Sequence, residues 1–170
     1  PVDSTEYVIM GRTNGTAFIN ISDPLNPFLV ADVPTETTSS LWRDVKVYAN
    51  HAFVVSEAGG HGMQVVDLTQ LGGIPNPPVT LQPNAVYTGF GNAHNIVINP
   101  EIGRAYGVGT DTFAGGLHIV DISDPTNPTA LGSFAADGYT HDAQVVSYIG
   151  PDTEFSGKEI AFCFNENTLT

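Results

Sequence analysis

Short apolar segments recur along the chain at a nearly constant interval. A segment that starts at Gly15 and ends at Pro27 is repeated from Gly116 to Pro128, and a shorter copy, 62–69, lies between them. The copies begin at residues 15, 62 and 116, so their starts are 47 and 54 residues apart. A repeat of this kind predicts an array of similar structural units.

A second element recurs in step with the first. Its copies are Arg43–Val47, His94–Ile98 and His141–Val145. Each copy is followed by another apolar strand, and these strands are Ala52–Val55, Ala105–Val108 and Ile160–Phe164. Each Gly-initiated element is followed by a fourth strand, and these are Phe28–Val33, Val79–Tyr87 with a break at Pro83, and Thr129–Phe134. The pattern therefore predicts four strands in each complete repeat.

Four short strands in about 50 residues are typical of a β-propeller blade. We expect an all-β chain that forms a propeller arc of four-stranded antiparallel blades, two of them complete. The predicted blades are 1–40 (partial), 41–90, 91–138 and 139–170 (partial). The Asp-Pro-x-Asn-Pro turns end strands because proline fixes φ and has no N–H. The glycine before each third strand predicts a positive φ or a close approach of neighbouring backbone.

The strand count predicts that the chain is an arc of a larger propeller. The first blade lacks its first strand, and the last blade has only its first two strands, so two such chains would not join cleanly into a ring. Repeat arrays expose apolar surface where a neighbouring unit is missing. We therefore expect this chain to pack against remaining blades of the same protein or to self-associate.

Composition excludes several classes of function. The chain has 18 acidic and 5 basic side chains, a net charge of −13 and one cysteine. This charge repels nucleic acid, whose binding depends on Lys and Arg. One cysteine cannot build a disulfide framework. No window reaches the ~18 consecutive apolar residues of a membrane helix, so we expect no direct membrane insertion by this segment.

Three segments carry a resemblance to a known family. The elements Gly116–Pro125, Trp42–Val47 and Tyr139–Gln144, together with the final residues from Phe164, resemble the LVIVD-repeat proteins that include the choice-of-anchor B family. The resemblance implies a β-propeller that is secreted or displayed on a microbial cell surface, in proteins roughly twice this length. It implies no catalytic residues.

Polar residues recur where the innermost strands of the blades begin. They are His94 and Asn95, His141 and Asp142, and, at the matching position, Arg43 and Asp44. Equivalent positions of a propeller converge on the mouth of its channel. Imidazole, carboxylate and amide groups there predict a divalent cation, calcium or zinc, held by His94, Asn95, His141, Asp142 and Asp44. The alternative is a hydrogen-bonded turn in which these side chains cap backbone N–H groups.

The remaining histidines and the cysteine have structural interpretations. We expect His61 to be a surface residue of a glycine-rich turn, and the alternative is a ligand or catalytic base there, with Glu57 close before it in the sequence. We expect His51 to lie in a hairpin turn. His118 alternates with apolar residues and is expected at an edge or between blades. Cys163 is expected to be a buried thiol that packs as a small apolar side chain.

Two functions follow from these patterns. The first is a non-catalytic, secreted or cell-surface propeller whose loops bind a surface protein, a polymer or an ion. The alternative is a propeller hydrolase or lactonase with a divalent cation at the channel mouth, because propellers host both classes. The ligand set at the strand starts is incomplete, and the sequence therefore favours binding.

Overall fold

A computed structural model of the chain describes residues 5–170, and its regular structure there consists of strands and two short 3-10 turns. The strands are β1 Tyr7–Arg12, β2 Gly15–Asn20, β3 Phe28–Pro34, β4 Arg43–Tyr48, β5 His51–Ser56, β6 Met63–Asp67, β7 Val79–Thr80, β8 Ala85–Tyr87, β9 Asn95–Asn99, β10 Arg104–Val108, β11 Leu117–Asp121, β12 Thr129–Phe134, β13 Thr140–Ser147 and β14 Glu159–Asn165. The 3-10 turns are Leu68–Leu71 and Phe113–Gly115. The all-β prediction is confirmed.

The strands form four sheets in chain order. The first contains β1, β2 and β3, the second β4, β5, β6 and β8, the third β9 to β12, and the fourth β13 and β14. Within each of these groups neighbouring strands are antiparallel. The first strands β4, β9 and β13 lie beside one another in successive sheets. Residues 95–98 and 142–145 of the second recurring element therefore lie on equivalent first strands, as its spacing predicts.

The predicted strand Val79–Tyr87 is divided into two strands that belong to different sheets. Residues 79–80 form β7, which pairs in parallel with Ala31 and Asp32 of the first sheet. Residues 85–87 form β8, which completes the second sheet beside β6. Pro83 lies between them and has no N–H for a ladder, so the chain can leave one sheet and enter the next there. The segment links the edges of the first two sheets.

The apolar core consists of three clusters, one between each pair of successive sheets. Phe53 and Val65 of the second sheet pack against Ile96 and Val120 of the third. A second cluster joins the first and second sheets, and a third joins the third and fourth sheets. Each internal sheet therefore buries both of its faces, because the side chains of a strand alternate between them.

The glycines that precede the third strands are sites of close backbone approach. A Cβ on Gly62, which has a φ of +65°, would collide with the carbonyl oxygen of Tyr87. A Cβ on Gly116 would collide with the carbonyl oxygen of Phe134. In both sheets the neighbouring carbonyl belongs to the end of the fourth strand. The prediction of a backbone approach at the repeated glycine is confirmed at both positions.

One face of the fourth sheet is exposed where the equivalent faces of its neighbours are buried. Phe53, Tyr106 and Phe162 all lie on the second strand of a sheet, and their partners on the first strand, Lys46, Val97 and Gln144, occupy the same position of the repeat. Phe53 is 0% exposed and Tyr106 2% exposed, because the next sheet covers each of them, whereas Phe162 is 41% exposed. The fourth sheet therefore presents an apolar face of the kind that its neighbours bury.

Candidate ligand-binding site at the first strands

Asp44 connects the first strands of the second and third sheets. Its Oδ1 accepts a hydrogen bond from the backbone N–H of Val45 at 2.8 Å, and its Oδ2 accepts one from the N–H of Ile96 at 3.1 Å. The ammonium group of Lys46 lies 2.7 Å from the same carboxylate. Asp44 thus satisfies backbone donors of two sheets at once.

Asn95 and Asp142 occupy the corresponding positions of the next two sheets. The Asn95 side-chain amide donates to the backbone carbonyl of His141 at 3.0 Å. Asp142 Oδ1 accepts from the N–H of Ala143 at 2.8 Å, as Asp44 does from its own neighbour. The three polar side chains therefore join backbone groups at the strand starts, and cation binding by them stays a prediction.

Arg43 is directed away from the two histidines at the equivalent positions. Its guanidinium donates to the carbonyl of Arg12 at 2.8 Å and lies 2.7 Å from Nε2 of His61. His61 is fully buried, so the expectation of a surface histidine is wrong. The loop folds inward because Gly60 and Gly62 both adopt positive φ. Burial lowers the pKa of His61, which favours a neutral ring that accepts from Arg43.

His94 is the centre of a compact group of side chains, which we name the His94 cluster: Trp42, Glu57, His94, Tyr139 and His141. The indole of Trp42 stacks on the His94 ring with centroids 4.6 Å apart and an interplanar angle of 9°. The His141 ring lies 4.3 Å from the His94 ring, tilted by 55°. Glu57 Oε1 is 2.7 Å from His94 Nδ1. Four segments of the chain therefore meet at one imidazole.

The two nitrogens of His94 have different surroundings. Nδ1 donates to the Glu57 carboxylate, so Nε2 has a free lone pair whenever the ring carries a single proton. Nε2 is buried and has no hydrogen-bond partner among residues 5–170. The His94 side chain as a whole is only 9% exposed. A buried nitrogen without a partner is uncommon and indicates a group that a ligand can satisfy.

The outer part of the His94 cluster is open to solvent. Trp42 is 43% exposed, and Leu41 beside it is 94% exposed. Tyr139 lies on the other side, with its ring 6.5 Å from that of His141. Burial raises the pKa of Tyr139, and the negative charges of Glu57 and Glu166 raise it further. The surface is therefore aromatic and negatively charged.

Sequence reasoning placed His94 and His141 together but missed Trp42 and Tyr139 as members of the cluster. Trp42 is the only tryptophan of the chain and directly precedes the first strand β4. At the equivalent position of the next repeat the chain has the small residue Ala93. A large aromatic side chain at position 42 therefore distinguishes this repeat and could have been recognised in the sequence. Its stacking on His94 depends on how two sheets pack and cannot be inferred from spacing.

The other chemistry-bearing residues have structural partners. His118 lies between the second and third sheets, with Nε2 at 2.7 Å from Tyr87 Oη and Nδ1 at 2.9 Å from Thr112 Oγ1. Cys163 is buried, and burial raises the pKa of its thiol. His51 lies at the β4–β5 hairpin, with Nδ1 at 2.7 Å from the carbonyl of Ala49. The interpretations of these three residues are confirmed.

Two features that would indicate a metal ion or a membrane are absent from the described residues. Within residues 5–170, no three His, Cys, Asp or Glu side chains come together in an arrangement that could hold a metal ion. No helix in the same range has the length and apolar composition needed to cross a membrane.

Comparison with known proteins supports the repeat assignment. Residues 112–136 match the family model of the LVIVD repeat. This segment contains β11, β12 and His118, and therefore part of the third sheet and its contact with the second. No curated protein matches the chain.

Proposed function

We propose that the four sheets are blades of a β-propeller and that the chain acts as a non-catalytic binding module. The blade assignment is supported by the shared order of strands in the second and third sheets and by the adjacent first strands β4, β9 and β13. The match to the LVIVD repeat at residues 112–136 adds to this support. A propeller of such repeats presents its loops as a binding surface.

A further blade of the same repeat is the proposed partner of the exposed face of the fourth sheet. Phe162 and Phe164 are 41% and 46% exposed, whereas the equivalent pair Phe53 and Val55 is buried against the third sheet. Asp142 Oδ2 has no hydrogen-bond partner among residues 5–170, whereas Asp44 Oδ2 binds the first strand of the next sheet. The first strand of a further blade would cover Phe162 and Phe164 and would also donate a backbone N–H to Asp142 Oδ2.

The binding site of the module is the His94 cluster. The observation that carries this assignment is the buried, unpartnered Nε2 of His94 beneath the exposed ring of Trp42. Tryptophan and tyrosine, both present in the His94 cluster, are enriched at binding hot spots. The partner is a surface protein or a polymer, and the module is secreted or attached to a cell surface. Recovery of the full-length protein from the cytosolic fraction of its source would contradict this location.

The binding proposal can be tested with immobilised microbial cell-wall polysaccharides and surface-protein peptides. We expect the wild-type chain to bind at least one of these probes and the double variant Leu41→Ser/Trp42→Ala to lose that binding at least tenfold. A variant at an equally exposed leucine, Leu25→Ser, is the matched control and should bind normally. Equal binding by wild type and the double variant, or no binding to any probe, contradicts the proposal.

A hydrolase or lactonase is the second candidate function. It is favoured by the Glu57–His94 pair, because a histidine oriented by a carboxylate can act as a general base or hold a catalytic ion. Hydrolysis of p-nitrophenyl acetate and of a homoserine lactone by the zinc-treated chain tests it. Activity that is lost in His94→Ala would support hydrolysis over binding alone.

A further inference from the structure

The two histidines of the His94 cluster lie side by side, and His94 has a buried nitrogen without a hydrogen-bond partner among residues 5–170. We infer that His94 Nε2 and the His141 ring hold one divalent transition-metal ion of the zinc class, with Glu57 as the positioning residue of His94. The inference rests on the proposed function, since it takes the His94 cluster as the binding site and names an ion as part of its ligand.

The orientation of His94 matches that of a metal ligand. A histidine that binds a metal through one nitrogen almost always donates its other N–H to a carboxylate, carbonyl or water. His94 Nδ1 is 2.7 Å from the Glu57 carboxylate, and Nε2 is buried with no partner among residues 5–170. Without a ligand the buried lone pair is desolvated and unsatisfied. An ion at Nε2 removes that cost.

His141 provides the second imidazole. Its ring centroid is 4.3 Å from that of His94, and its ring takes part in no hydrogen bond with residues 5–170. Two imidazoles on one ion with metal–nitrogen distances of ~2.1 Å have centroids about 5 Å apart. The observed separation is shorter than this, so the exposed His141 ring has to turn outward for both rings to bind one ion.

The chemistry of the site favours a zinc-class ion over calcium. Calcium needs six to eight oxygen ligands, whereas imidazole suits zinc, copper and nickel. The carboxylate of Asp44 is bound to Lys46 and to two backbone N–H groups, so it is engaged elsewhere. The five-residue ligand set predicted from the sequence is thereby reduced to two histidines. The remaining coordination positions are open to water or to donor atoms of the bound partner.

The chelator-treated chain is titrated with metal ions by isothermal titration calorimetry. The fluorescence of Trp42, the only tryptophan of the chain, is measured in the same titration. Trp42 stacks on His94, so an ion at Nε2 lies within quenching range when the probe is Ni²⁺ or Cu²⁺. We expect Zn²⁺ and Ni²⁺ to bind at one site and Ca²⁺ not to bind there. His141→Ala should weaken Zn²⁺ binding at least tenfold without unfolding, because its side chain is exposed.

Two further variants distinguish Zn²⁺ binding at the His94 cluster from non-specific Zn²⁺ binding by other histidines. Glu57→Gln should weaken Zn²⁺ binding about 10- to 100-fold, as expected for a positioning carboxylate. His51→Ala, which removes a histidine of a hairpin turn outside the cluster, should leave the affinity unchanged. Equal Zn²⁺ affinity in wild type and His141→Ala, or binding that needs His51 instead, overturns the inference. If polymer or protein binding survives chelation, the metal inference alone is overturned. If the chain binds Zn²⁺ but none of the polymer or protein probes, the proposed function alone is overturned.

Discussion

The carboxylate of Asp44 accepts a hydrogen bond from the backbone N–H of Ile96, at 3.1 Å, across the boundary between two sheets. This bond joins residues 52 positions apart. Similar polar connections occur at Asn95 and at His118, so successive sheets are held by directed hydrogen bonds as well as by apolar packing. The orientation of one sheet on the next, and with it the His94 cluster, depends on such pairs.

Loss of the Asp44 carboxylate should destabilise the chain. Asp44→Ala leaves the N–H groups of Val45 and Ile96 without an acceptor, which is expected to lower the free energy of unfolding by about 1–3 kcal/mol. Urea denaturation measures the change. Asp142→Ala is the matched control, since Asp142 caps only its own strand, and its effect should be smaller. Equal effects of the two variants would show that the bond between sheets contributes nothing.

Gly116 should be intolerant of a side chain. A Cβ there collides with the carbonyl oxygen of Phe134, so Gly116→Ala forces β11 and β12 apart, at a cost of about 1–3 kcal/mol. Gly132→Ala in the same sheet is the control, because a Cβ at Gly132 meets no atom within 4 Å. A thermal melt should show a lower Tm for the first variant and little change for the second. Similar Tm values for the two variants would contradict the steric argument.

The buried histidines should make the stability fall as the pH drops below 6.5, the usual pKa of histidine. Burial lowers the pKa of both His61 and His118 below the usual 6.5. The unfolded chain therefore binds protons at a higher pH than the folded chain does. The stabilisation is complete above pH 6.5 and is lost as the pH falls through the lower pKa of the folded state. Urea-unfolding free energies at pH 7.5 and 5.5 test this expectation.

A substitution can assign part of this pH dependence to His118. His118→Gln removes the titrating group, and the second sheet already has Gln64 at the equivalent strand position, where its amide donates to the carbonyl of Pro34. We expect a smaller loss of stability between pH 7.5 and 5.5 in this variant. His51→Gln should show the wild-type slope. A slope in His118→Gln equal to that of wild type would exclude His118 as a source of the dependence.

The chain by itself should self-associate through the exposed face of the fourth sheet. Phe162 and Phe164 place two aromatic rings in water, and association removes them from it. Light scattering across a concentration series should show masses above that of the 18.0 kDa monomer. Phe162→Asp should reduce the mass toward that of the monomer, whereas Leu25→Asp, at an exposed turn, should not. A monodisperse wild-type monomer would count against the proposed blade contact.

The repeat made most of the fold predictable. The periodic glycines mark positions of close backbone approach, and the periodic apolar segments mark strands with a buried face. Both features are determined within a single repeat, so the sequence identifies the strands and their order. The division of Val79–Tyr87 between two sheets was not predictable, since β7 is only two residues long and its pairing depends on where the first sheet lies.

The candidate site was predictable only in part. Repeat register brought His94 and His141 to neighbouring strand starts, and the structure places their rings side by side. The buried ring of His61 contacts Arg43, which lies 18 positions away in the sequence. The stacking of Trp42 on His94 likewise joins two sheets. Contacts between sheets are determined by three-dimensional packing, which a one-dimensional period does not contain.

The two-residue strand β7 has a consequence for how the molecule opens. It leaves the second repeat to pair with Ala31 and Asp32, and the N–H of Leu81 then donates to the Asp32 carbonyl at 2.8 Å. The outer edge of the first sheet is therefore paired with backbone from the second repeat, so the two cannot separate without breaking these backbone hydrogen bonds. Amide hydrogen exchange should find these two sheets opening as a single cooperative unit. The third sheet shares no strand with the first two and is joined to the second by apolar packing and by bonds such as that from Ile96 to Asp44, so we expect it to open in a separate step.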